Sequence, residues 1–320
     1  KLFRAYGLWR MADLDVYGNV KAASSIRLSR KAVIGGLIGG VLLASVLVIG
    51  LLGSMDFESE TEVMAHRGAS GAFPENTLAA IQGAIDSGAQ WVEIVVQEAA
   101  DGEIVVIHDS DLKKVGSSPL VVAESTVREL KWIDIGSWFD LSFSDERVPT
   151  LREVLELCKG RIGVNIELKY YGSERRLEQS VAELVDEYGM ADDVIAMSLN
   201  LDGVREMKRV RPGWKVGLLS SVAVGDLAKM NVDFLALNAR FATRQLVRRM
   251  HGQGKQVFVW TVNDALGIST MASRGVDGII TDEPALAVSL LEQRRDLDPH
   301  ERMLLALAEL FDKPSLLKEQ

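Results

Sequence analysis

From residue 62 onward, short runs dense in β-branched residues alternate with stretches of helical period, which is the pattern of βα units around a parallel sheet. The runs predicted as strands are 62–67, 91–97, 164–169, 194–199, 215–219, 234–238, 256–261 and 278–282. Helices are predicted between them, among them 77–87, 151–157, 174–188, 242–251 and 265–273, with Gly88 and Gly189 closing two of them. Eight such repeats in about 230 residues predict an α/β fold of the TIM (β/α)8 barrel type. An open doubly wound sheet is the alternative, but no strand is followed by a Gly-rich phosphate loop.

One connection is too long for a simple βα link: residues 98–150 read as an insertion after the second strand. Asp101-Gly102, flanked by Val95-Val96-Gln97 and by 104–107, has the sequence of a hairpin turn and sets position 95 opposite roughly His108. The remainder, through Trp132, Trp138 and Phe139, is expected to form a small lobe over the barrel mouth.

Ahead of the barrel the pattern changes. Residues 32–53 form an uncharged run of 22 residues, which as a helix extends roughly 33 Å, about one hydrocarbon thickness. A transmembrane helix is therefore expected; the competing signal peptide has a shorter apolar core nearer the chain start. Arg27, Arg30 and Lys31 precede the run, and Asp56, Glu58, Glu60 and Glu62 follow it. The positive-inside rule then puts the N-terminal segment in the cytoplasm and the barrel outside, at a cell membrane. The expected layout is a basic segment at 1–31, the span at 32–53, a linker at 54–61, the barrel at 62–295 and a C-terminal helix or tail at 296–320. The chain opens on Lys1 rather than methionine, so further membrane segments upstream belong to the same expectation. Gly35, Gly36, Gly39 and Gly40 give two overlapping GxxxG spacings, either a face for helix self-association or ordinary glycine usage in such a span.

Composition narrows the classes. At 48% hydrophobic and 25% charged, with 28 glycines and seven prolines, the chain is neither disordered nor collagenous. Its one cysteine, Cys158, can form no intramolecular bridge and is expected to fill core space in a helix. The net charge of -9 hides an asymmetry: residues 1–31 carry seven Lys and Arg against two Asp, and the chain after residue 53 carries 29 against 43 acids. No nucleic-acid partner is expected of so acidic a barrel, and an anion there must be held by local cations.

In a TIM barrel the reactive groups stand where strands end on the C-terminal face. Those ends read His66-Arg67-Gly68, Glu93 on the second strand, His108-Asp109 on the returning hairpin, Glu167-Leu168-Lys169, Trp260, and Asp282-Glu283-Pro284. Two of the four histidines thus face one mouth, as a general acid and base would, although a single histidine beside an arginine is more often a structural hydrogen-bonding residue. His251 and His300 fall on predicted helices and read as surface residues. Arg67 and Lys169 suggest an anionic substrate. Glu93 and Glu167 offer hard oxygen ligands for Mg²⁺ or Ca²⁺, or else pair with Arg67 and Lys169 without a metal.

Met64-Ala65-His66-Arg67-Gly68, Pro74-Glu75-Asn76-Thr77, Val92-Glu93 with the Asp101-Gly102 turn, Ile107-His108-Asp109, Asn165-Ile166-Glu167-Leu168-Lys169, Trp260-Thr261-Val262-Asn263 and the stretch from Asp277 to Pro284 occur in this order. Together they resemble the glycerophosphodiester phosphodiesterases, and the basic-flanked apolar run resembles that of the membrane-anchored bacterial members. The resemblance implies hydrolysis of a glycerophosphodiester to glycerol 3-phosphate and an alcohol, assisted by a divalent cation, Ca²⁺ or Mg²⁺. It implies His66 and His108 as acid and base, Arg67 and Lys169 on the phosphate, Glu93 and Glu167 on the metal, and Trp260 lining the glycerol pocket. Glu75 and Asn76 are expected to structure the loop rather than touch substrate. Substrates at the outer membrane face would be glycerophosphodiesters, lipid headgroups or polyglycerol phosphate.

The family's second strand reads Glu-x-Asp, whereas this one reads Glu93-Ile94-Val95. Positions 93 and 95 share a strand face, so Val95 offers an alkyl group where the family has a third carboxylate. A degraded site that binds without hydrolysing, a working enzyme that recruits another oxygen, and a deliberate inactivating replacement are the three accounts of it. The expectation is reduced, metal-hungry activity.

Overall fold

The computed structural model describes residues 61–298 apart from 173 and 222–226, together with positions 29, 33–36, 39, 40, 42 and 301. Strands β1 (Glu62–Ala65), β2 (Trp91–Glu98), β4 (Gly163–Leu168), β5 (Val194–Ser198), β6 (Val216–Ser220), β7 (Phe234–Asn238), β8 (Gln256–Trp260) and β9 (Gly278–Thr281) pair in parallel, each with its neighbour. Pairing of β1 with both β9 and β2 closes the cylinder. The eight predicted strands are all present, each within one residue of its expected bounds except the end of the first, which comes two residues early.

The helices that cover the cylinder include α1 (Leu78–Asp86), α2 (Leu151–Cys158), α3 (Leu177–Tyr188), α4 (Leu201–Val210), α5 (Arg244–His251), α6 (Ala265–Ser273) and α7 (Pro284–Asp296). Their starts follow from local chemistry. Thr77, Thr150, Asn200, Thr243 and Asp264 each accept a backbone N–H from the first turn, and Thr150 with Glu153 forms a reciprocal capping box. Cys158 is buried at the end of α2, and burial pushes its thiol up to about 12, so it is packing and not a nucleophile.

Strand alternation sorts the core. Val92, Ile94, Val96, Val164, Ile166 and Leu168 face the helices, where burial of each contributes about 1.5–3 kcal/mol. Met64, Ile195, Met197, Phe234, Ala236, Phe258 and Ile280 fill the cylinder. On the β2 and β4 side the interior is instead polar, with Glu93, Gln97, Asn165 and Glu167 all buried.

β2 outruns its partner β1, and its upper end pairs with the antiparallel strand β3 (Ile104–Val106). The register is one residue off the expectation: Ile107 N donates to Val95 O, so Ile107 and not His108 stands opposite Val95. The turn is the cause. Ala99 N donates to Glu103 O and Gly102 N to Ala99 O, with Gly102 at φ +84°, so the loop has three residues and a glycine bulge. The rest of the insertion packs its own small core around Leu112, Val122, Leu130 and Ile135.

Most of the expected span 32–53 lies outside the described residues. Positions 33–36, 39, 40 and 42 are helical and exposed, and a side-chain carbon added at Gly35, Gly36, Gly39 or Gly40 would meet nothing within 4 Å. Among the described residues no helix is long and apolar enough to cross a membrane. The C-terminal helix expected after residue 298, and His300, also lie almost wholly outside them. His251 ends α5 with its side chain partly exposed, and its Nε2 is 2.8 Å from Asp277 Oδ2, a carboxylate that also accepts Val257 N.

Candidate active site

The His66-Arg67-Gly68 turn is shaped by crowding. Arg67 adopts φ +51° and Gly68 φ +85°, and a side-chain carbon on Gly68 would come within 2.6 Å of Ala80. The turn is then pinned to β2, where Arg67 N donates to Glu93 Oε2 at 2.7 Å. Asn76 N donates to Arg67 O, and Asn76 Oδ1 accepts Val95 N, completing the ladder where β1 has ended. Glu75 bridges two cations, Arg67 at 3.0 Å and Lys114 at 2.8 Å. Both residues therefore tie down the loop that follows β1.

His66 Nδ1 lies 2.6 Å from Asp282 Oδ1, which also accepts from Ser70 Oγ, while Asn263 Nδ2 donates to Asp282 Oδ2. Burial works against the Asp282 carboxylate's charge, but the hydrogen bonds and charge of His66, with Ser70 and Asn263, outweigh it and hold the group down at about 2. The ionised Asp282 fixes His66 Nδ1 as the donor.

His108 Nδ1 lies 2.7 Å from Asp109 Oδ1, and its Nε2 is 3.2 Å from Lys169 Nζ. An ammonium can only donate, so this contact belongs to a neutral ring whose Nδ1–H faces Asp109. Burial and the nearby cations of Arg67 and Lys169 hold His108 below its ordinary range against the opposing pull of Asp109 and Glu167. Gln97 Nε2 stands at 2.9–3.2 Å from the carbonyls of Ile107, His108 and Asp109, and Tyr171 OH donates to His108 O at 3.0 Å.

Lys169 Nζ also lies 3.4 Å from Glu167 Oε1. Glu93 is raised by burial and by Glu167, against His66, Arg67 and its backbone bond. Its Oε1 is buried with no partner, as are Arg67 Nε, Asn76 Nδ2 and Asn165 Oδ1. Such unmet polar atoms in neighbouring residues mark a place where the protein reserves hydrogen-bonding capacity. Trp260 ends β8 half-buried, its indole N–H donated to Ala236 O at 3.1 Å.

Every expected site residue thus lies at the C-terminal end of the cylinder or on the loops beside it. Asp282, Ser70, Asn263, Gln97, Tyr171 and Lys114 were not among them. Asp282 had a sequence signal, a carboxylate ending the last strand, which barrel closure brings beside the first.

A sequence profile of the glycerophosphoryl diester phosphodiesterase family matches residues 66–286. The chain belongs to this family. It is 35% identical over 244 residues to a glycerophosphodiester phosphodiesterase of Caldanaerobacter subterraneus, an alignment covering 73% of this chain and 99% of that one. It also resembles a phosphodiesterase of Oleispira antarctica solved with the product sn-glycerol-3-phosphate, at 29% identity and TM-score 0.69, covering 72% of this chain and 96% of that one. A glycerophosphodiester phosphodiesterase of Agrobacterium tumefaciens follows at 29% identity and TM-score 0.64, covering 72% and 99%. Members of this family of hydrolases generally use a divalent metal.

This chain's side chains fit such an ion incompletely. Glu93 and Glu167 supply two carboxylates, one with an unpartnered oxygen, but Val95 is fully buried between them in the strand pattern. Among the described residues no three His, Cys, Asp or Glu side chains are grouped to hold a metal. Two carboxylates are short of the six to eight oxygens Ca²⁺ takes, roughly, or the near-octahedral set of Mg²⁺.

Proposed function

We propose that this chain hydrolyses glycerophosphodiesters to glycerol 3-phosphate and an alcohol at the outer face of a cell membrane. What carries the reading is the pair of imidazoles at one mouth, each with Nδ1 on a carboxylate, with Arg67 and Lys169 beside them. Guanidinium and ammonium hold the phosphodiester and oppose the charge that grows on it. Trp260 lines the glycerol pocket.

The electrostatic surroundings divide the roles. His108, neutral and beside cations, is the general base: its Nε2 takes the proton of the attacking hydroxyl as the new P–O bond forms, that hydroxyl being either water or the neighbouring glycerol hydroxyl, in which case a water then opens the resulting cyclic phosphate. His66, beside Asp282 and Glu93, is the general acid. As the second P–O bond breaks, its electron pair leaves on the alcohol oxygen, which takes a proton from His66. Solvent then returns each ring to its starting state.

A divalent cation held by Glu93 and Glu167 would add charge on the phosphate. With Val95 in place of a third oxygen, its affinity is weak, and Val95→Asp raises it about tenfold or more, read by calorimetric titration of Ca²⁺ and Mg²⁺. An unchanged affinity overturns this account of Val95.

Buried Val95 also supports a second reading, a barrel that binds glycerophosphodiesters or polyglycerol phosphate without cleaving them. Thermal shift paired with glycerol 3-phosphate detection separates the two. The hydrolase reading expects product that His66→Ala abolishes; a melting shift with no product, with Val95→Asp equally inert, refutes it.

Residues 32–53 anchor the protein, with the N-terminal segment cytoplasmic and the barrel outside. Candidate substrates are then deacylated phospholipids, headgroup diesters and polyglycerol phosphate.

A further inference from the structure

The exposed apolar side chains of the barrel region are not scattered. Of the eight large hydrophobic residues exposed among the described residues after position 61, four fall within ten positions of the insertion: Trp132, Trp138, Phe139 and Leu141. Trp132 and Leu141 are 80% and 78% exposed. Single exposed hydrophobics need no explanation, whereas a concentration of tryptophan, phenylalanine and leucine on one lobe marks an interaction surface.

The lobe is also fixed to the mouth. Trp138, Phe139, Phe143 and Phe73 form a chain of edge-to-face contacts at 5.8, 5.9 and 5.7 Å, and Phe73 lies on the loop between β1 and α1. Lys114 lies 5.7 Å over the Trp138 ring and 2.8 Å from Glu75, the partner of Arg67. Whatever covers Leu141 and its neighbours is therefore held near the catalytic rim.

We infer that this lobe docks on the headgroup layer of a bilayer and presents the barrel mouth to diesters at the membrane surface. The inference rests on the reading of residues 32–53 as a span. Only residues 54–61 separate that run from β1, a tether of at most roughly 26–29 Å, which keeps the barrel within reach of the surface. Trp favours the interface between headgroups and hydrocarbon, and Phe and Leu join it on the apolar faces of segments that lie in that layer. The docking is apolar rather than electrostatic, because the lobe carries both signs: Arg128 and Lys131 flank Trp132, while Asp134 and Asp140 accept hydrogen bonds from their own turns. It therefore survives salt.

The test uses the full chain in phosphatidylcholine vesicles, with an environment-sensitive fluorophore on Leu141→Cys and, for comparison, on Asp192→Cys. Asp192 is exposed in the turn that enters β5, at the opposite end of the barrel, and the native Cys158 is buried and does not compete for the label. Lipids with a shallow nitroxide are expected to quench the label at 141 at least twofold, equally at low salt and in high salt, and to leave the label at 192 unchanged. Quenching at 192 instead, or at neither position, overturns the docking. So does shielding of 141 that grows with protein concentration without lipid, which would assign the patch to a second copy of the chain. Carbonate washing separates the two readings. A chain released from vesicles overturns the span and the docking that depends on it, whereas a retained chain with an unquenched 141 overturns the docking alone.

Discussion

The two histidines share one local geometry and live in opposite surroundings. Each puts Nδ1 within 2.7 Å of an aspartate, but His66 has Asp282, reached across 216 residues of sequence, and His108 has Asp109, its chain neighbour. Asp282 accepts from Ser70 and Asn263 as well as His66, whereas the Asp109 carboxylate holds only His108 among the described residues. Beyond the dyads, His66 stands near Glu93 and His108 near Arg67 and Lys169. A His–Asp pair therefore does not set a role by itself; in the proposed mechanism it is the next charges out that divide base from acid.

The widest test removes either ring. His108→Ala and His66→Ala are each expected to lower kcat by about 10²–10⁴-fold in a glycerol 3-phosphate release assay. If one of them retains most of its turnover, the division of labour fails.

The aspartates should then separate. Asp282→Asn loses the orienting charge from a braced site and is expected to cost about 10²-fold or more in kcat. Asp109→Asn is expected to cost about fivefold at most, as an exposed pair worth up to ~1 kcal/mol allows. Equal losses would erase the distinction between braced and unbraced dyads.

The pH profile sharpens the electrostatic half. A neutral His108 is required, so kcat/KM falls on the acid side as that ring protonates. Burial first, then Arg67 and Lys169, keep that limb below 6.5. Lys169→Met is expected to move the limb up towards 6.5, and Asp109→Asn, which removes a group that raises the ring, to move it further down. A limb that ignores both charges would mean His108 is not the titrating base.

The smallest effect is on stability. Asp282 is held at about 2, below its ordinary 3.8, so its contribution is present above 3.8 and fades as pH falls through about 2. Chemical denaturation from neutral pH down to that range should show a shallower acid decline for Asp282→Asn than for the parent chain.

Much of the molecule is legible in its sequence. The strands are short, β-branched and bounded by turns, so their positions are local facts, and the strand-end motifs fix which residues approach the mouth. The partner of His251 was not legible, because nothing local tells that a helix-end histidine meets an aspartate 26 residues away. The hairpin register was misjudged because Asp-Gly serves both two- and three-residue turns, and only the backbone bonds between Ala99 and Glu103 choose between them.

Periodicity predicted the βα repeats of a barrel and the insertion after β2, and the order of the strand-end motifs carried the resemblance to the family, since each follows from neighbours along the chain. Only the tertiary structure decided that Asp282 braces His66, that Lys169 donates to His108, and that Gln97 gathers three carbonyls of the His108 loop. These contacts depend on distances across a closed sheet, which side-chain periodicity does not encode.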